Sequence, residues 1–137
     1  MNVPSDTKYQ RLPAKQTLLL ILVPMLATVL SQRLYLHLSG VRHVHAGGYL
    51  VHHLFFGIVI ELPAAFILAF GTRSRWLTFA APAALGIGSA MVLDEMTYLV
   101  MTKASDADYV SRISLVGAIV FISLAVMLLL ALYRAHR

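Results

Sequence analysis

Seven ionisable side chains in two stretches hold most of the reactive chemistry available to this sequence. His43, His45, His52, His53 and Glu61 fall within H-V-H-A-G-G-Y-L-V-H-H-L-F-F-G-I-V-I-E, and Asp94-Glu95 lies near the end of the next apolar run. Imidazole and carboxylate together make a ligand set for Zn, Mn or Fe that needs no cysteine. The chain has no cysteine, which removes thiolate metal sites, iron–sulfur clusters and Cys nucleophiles. H-x-H at 43–45 offers two ligands from an extended segment, where alternate residues point the same way. Two ionised carboxylates inside a membrane repel each other and lose solvation, and a divalent ion would offset both costs. The expected site therefore has His53, Asp94 and Glu95 as its core, with further ligands from His52, His43 or His45. A water activated by that ion, with Asp94 or Glu95 as base, would make a hydrolase or oxidoreductase acting on a lipid-like substrate.

Each group also has a plainer reading. The histidines can be interfacial polar residues. Asp94 and Glu95 can make packing hydrogen bonds to His52, His53 or Tyr98. The least costly form of a mid-membrane Glu61 is a neutral acid bonded to a neighbour, and the alternative is a relay in an ion or proton pathway. Several motifs are missing: the H-x3-H boxes of membrane desaturases, H-E-x-x-H, Glu-x-x-His and G-x-S-x-G.

The elements that must position these groups are membrane helices. Of 137 residues, 59% are hydrophobic and 12% charged, against roughly 25% charged in a soluble domain. Apolar runs at about 16–36, 49–71, 77–101 and 113–133 each approach the ~20 residues that span a bilayer. They lack the alternation of a membrane β-barrel. The expectation is an all-α polytopic membrane protein, one four-helix up-down bundle after a tail over 1–15. The first run is long for the apolar core of a signal peptide and no A-x-A-like site follows it, so it reads as a retained helix kinked at Pro24.

Helical periodicity orients the polar groups. On the second run His53, Gly57, Ile60, Glu61 and Ala64 share one side, and Phe55, Phe56, Val59, Leu62 and Phe66 the other. The bulky side should face lipid and the small and polar side the bundle. On the third run Ala80, Ala83, Ala84, Ile87, Met91, Asp94, Glu95 and Tyr98 share a face, so Asp94 and Glu95 should straddle the inward direction together. Gly86, Gly88, Ser89 and Ala90 allow a neighbouring backbone to come close. The basic turn Thr72-Arg73-Ser74-Arg75 makes these two runs antiparallel neighbours, so His53 and Asp94-Glu95 fall at similar depth.

Lys and Arg number seven in the 1–15 tail, the 72–75 turn and the C-terminal end. They number four near the other two loops, with Arg33 and Arg42 counted to the first and Lys103 and Arg112 to the second. The positive-inside rule then puts both termini in the cytoplasm and the His-rich loop outside. The net charge of +5 is explained by this topology and by anionic lipid, and no basic patch with interleaved aromatics suggests nucleic acid.

His52, His53 and Gly57, followed by Gly86, Gly88, Asp94 and Glu95, resemble a loose set of small uncharacterised bacterial integral membrane proteins. Their shared features are a His-His-x3-Gly helix start and a Gly-rich helix ending in Asp-Glu. The resemblance covers the middle half of the chain. It implies that these two stretches pair and that the chain sits in a bacterial inner membrane, and it carries no reaction. A short chain with minimal loops also fits a non-catalytic accessory or structural subunit, with lipid and other membrane subunits or further copies of itself as partners.

Overall fold

A computed structural model describes residues 12–39, 44–47, 49–103 and 105–135. Four helices are long and apolar enough to cross a membrane: α1 (Ala14–Ser39), α2 (His53–Phe70), α3 (Arg75–Met101) and α5 (Arg112–Ala135). The protein is an all-α polytopic bundle with two small additions. A hairpin of β1 (Val44–Ala46) and β2 (Tyr49–Val51) precedes α2, pairing Val44 with Val51 and Ala46 with Tyr49. A single turn of helix, α4 (Asp106–Tyr109), precedes α5.

The spans differ from the apolar runs mainly at their polar ends. α1 continues through Ser31, Gln32 and Arg33 to Ser39, so Arg33 is a helix residue and not a loop charge. α2 begins at His53 because residues 49–51 are held in the hairpin. Its 18 residues reach ~27 Å at 1.5 Å per residue, just short of the ~30 Å hydrocarbon core. Gly71, at a positive φ of 77°, ends α2 and donates its N–H to the Ile67 carbonyl, as a helix C-terminus requires. Ser74 then caps α3 by accepting from the Leu77 N–H.

The bundle is organised around α3, which packs on α1, α2 and α5. No residue from 80 to 99 is exposed. This departs from the one-sided face expected of α3: Leu85, Val92, Leu93, Met96 and Leu99 are half-covered rather than turned fully to lipid. The cause is that α3 has small residues on more than one side. A Cβ at Gly88 would come 2.7 Å from the Gly57 carbonyl oxygen, and a Cβ at Gly57 equally close to that of Gly88. On another side, a Cβ at Gly86 would collide with the Ile21 carbonyl of α1. Close backbone approach lets dispersion contacts hold helices where lipid removes the hydrophobic incentive. α2 follows the expected division apart from Ile60: Phe55, Phe56, Val59, Leu62 and Phe66 are exposed and Gly57 and Ala64 buried, but Ile60, expected on the bundle side, is exposed as well.

Candidate functional site

The polar groups form two layers. The larger lies at the hairpin end of the bundle and is built on Asp94 and Glu95, which are 0% and 2% exposed. Successive helix residues point ~100° apart, and here the two acids use that angle to reach different neighbours. Asp94 turns to α1 and α4, and Glu95 to the start of α2.

Arg33 Nε donates to Asp94 Oδ1 at 2.7 Å. Its other nitrogens donate to the Tyr109 carbonyl at 3.2 Å, the Asp94 carbonyl at 3.3 Å and Ser114 Oγ at 3.1 Å. The Tyr109 hydroxyl donates to Asp94 Oδ2 at 3.2 Å. One guanidinium thus ties α1 to α3, α4 and α5. The Tyr109 ring stands edge-on to Tyr98 at 4.7 Å between centroids and lies 5.5 Å from the Arg33 guanidinium carbon. Burial first, and then the Asp94 charge, push the Tyr109 phenol well above its ordinary range, so it remains a hydrogen-bond donor. Ser105 fixes α4 through a reciprocal capping box with Asp108.

Glu95 acts on α2. Its Oε2 accepts the Leu54 backbone N–H at 2.7 Å. Its Oε1 lies 3.4 Å from His52 Nδ1 and 3.3 Å from His53 Nδ1. His52, the residue before α2, provides no side-chain cap of its own. A helix start leaves backbone N–H groups unpaired and carries partial positive charge. Glu95 supplies both the acceptor and the negative charge from a neighbouring helix.

The expected site residues are therefore only partly gathered. His52, His53 and Glu95 meet at one carboxylate oxygen. Asp94 is engaged by Arg33 and Tyr109. His43 lies outside the described residues, as does the side chain of His45 on β1. Among the described residues no three His, Asp or Glu side chains are grouped to hold a metal ion. Arg33, Tyr109 and Ser114 were missed by the residue patterns. The available signal was Arg33 itself, a lone cation inside an apolar helix about as far from its end as Asp94 is from the end of α3.

The second layer lies halfway along α2 and α3. Ser89 Oγ donates to Glu61 Oε1 at 3.0 Å, and Glu61 is half-buried at the wall of a cavity of about 260 Å³. Eight residues separate Glu61 from His53 on α2, ~12 Å along the axis.

The chain matches no protein-family model, no curated protein and no solved structure, so the functional reading rests on this geometry.

Proposed function

We propose that this chain is a non-catalytic module of a bacterial membrane assembly, an accessory or structural subunit whose hairpin-end polar layer locks its helices together. The observation that supports this best is that all four carboxylate oxygens of Asp94 and Glu95 face protein donors. A general base must reach the proton that it removes, and Asp94 is fully shielded and already paired. Buried polar groups satisfied on every side tend to specify one packing arrangement. In this reading the protein is multi-pass in the inner membrane with both termini cytoplasmic. Treating Arg33 as the half-buried partner of Asp94 leaves Arg42, Lys103 and Arg112 near the outer loops, against seven basic residues on the other side, which strengthens the charge bias. Cysteines placed at Ser5 and Ser105 should then label from opposite sides of sealed vesicles. Labelling from one side would refute the orientation.

One observation favours a second reading, a divalent transition metal on the histidines. If Glu95 accepts Nδ1–H from His52 and His53, each ring is left with an Nε2 lone pair, the arrangement in which a carboxylate orients metal-bound imidazoles. Glu95 would then position ligands rather than serve as one, and His43 or His45 would have to complete the set. Elemental analysis of detergent-purified protein separates the readings. The accessory reading predicts no Zn, Mn or Fe above background. Stoichiometric metal lost in His52→Ala and His53→Ala would replace it with the metal reading.

A further inference from the structure

Glu61 plays no part in the polar lock. It sits at the middle of α2, in the wall of a cavity otherwise lined, among the described residues, by apolar groups such as Met25, Leu85, Val92 and Leu128 and by the Ser89 hydroxyl. Ser89 occupies Oε1, and no hydrogen-bond donor among the described residues meets Oε2. Among the described residues no Lys, Arg or His lines the cavity, and Arg33 is committed to Asp94. Leu128 on the rim is 60% exposed, so the cavity lies beside the lipid-facing surface. Pre-formed ligand sites are mostly apolar with a few placed polar groups, and intramembrane carboxylates mark binding sites and pathways.

We propose that this cavity binds a small lipophilic cation, an apolar body bearing one ammonium group, with Glu61 as its counter-ion. Charge complementarity selects the occupant. Among the described residues the one ionisable group on the wall is an acid with no cationic partner, and a ligand that brings its own positive charge supplies one. The apolar walls accept the body of the same molecule. Ser89 positions the carboxyl by holding Oε1, which leaves Oε2 for the ammonium. Volume limits the ligand, since about 260 Å³ is at the small end of ligand pockets, which run from ~300 Å³.

The test uses the intact protein in lipid nanodiscs. Dicyclohexylcarbodiimide modifies protonated carboxyl groups within membranes, and mass spectrometry of the α2 peptide reads its rate at Glu61. Benzyltrimethylammonium is the cationic probe, and neopentylbenzene is its neutral isostere. At about ten times its Kd the cation should slow labelling of Glu61 by about tenfold, as occupancy of one site requires. The neutral isostere should leave the rate unchanged. Equal slowing by both compounds would mean that the cavity takes any apolar filler, such as an acyl chain. No slowing by either would mean that it takes no such ligand. Each of these results overturns the proposal.

Discussion

Asp94 and Glu61 are both acids inside spanning helices, but their surroundings differ. Asp94 is fully buried and receives a guanidinium and a phenol. Glu61 is half-buried and receives one serine hydroxyl. Position along the helix accounts for the contrast. Asp94 lies near the end of the bundle, where α4 folds back and brings Tyr109 over the helix ends. At the level of Glu61 no connecting segment reaches the carboxyl among the described residues, and the side chains around it are chiefly Leu, Val, Ile, Ala and Met. A membrane protein can build a satisfied ionic network where connecting segments add donors. At mid-helix the Glu61 carboxyl keeps one oxygen without a donor among the described residues.

That contrast predicts a gradient of mutational cost. Arg33→Leu leaves Asp94 buried without its cation and should lose about 3–5 kcal/mol, the typical cost of breaking a buried pair on one side, read as a fall in thermal midpoint in detergent. A loss no larger than that of a surface substitution would mean that water or lipid compensates Asp94. Gly88→Ala tests whether the polar layer depends on close α2–α3 packing. The added Cβ meets the Gly57 carbonyl, and overpacking of this kind costs about 1–3 kcal/mol, so the variant should melt earlier and label more readily at cysteines on the α2 flank.

Glu95→Gln keeps an oxygen for the Leu54 N–H but removes the charge at the start of α2. A loss of about 1 kcal/mol is expected, confined to hydrogen exchange at residues 52–56. Exchange rising equally along α3 would contradict the capping role. Glu61→Gln is isosteric and keeps an acceptor for Ser89, so its effect on stability should stay within ~0.5 kcal/mol. A large loss would place Glu61 in the structural network and erase the contrast with Asp94.

Much of this was legible from spacing alone. The four spans, the lipid face of α2 and the meeting of His53 with Glu95 follow from helical periodicity and the tight 72–75 turn. Three features were not legible. Arg33 near the end of an apolar run looks the same whether it snorkels to headgroups or pairs with an acid, because only the tertiary fold brings α1 against Asp94. Tyr109 lies in a polar stretch whose single helical turn is too short for a periodic signal. The divergence of Asp94 from Glu95 depends on α3 having neighbours on several sides, whereas the periodic pattern assumed one inward direction.

The central claim is that Asp94 and Arg33 form a structural pair, and a double-mutant cycle tests it most directly. Arg33→Leu, Asp94→Leu and the combined variant should be compared with the parent by unfolding in mixed micelles. If each group's role is to neutralise the other, the double variant will be more stable than the two single losses added together, by about 2–3 kcal/mol. Additive losses would contradict the account and leave Asp94 serving something other than Arg33.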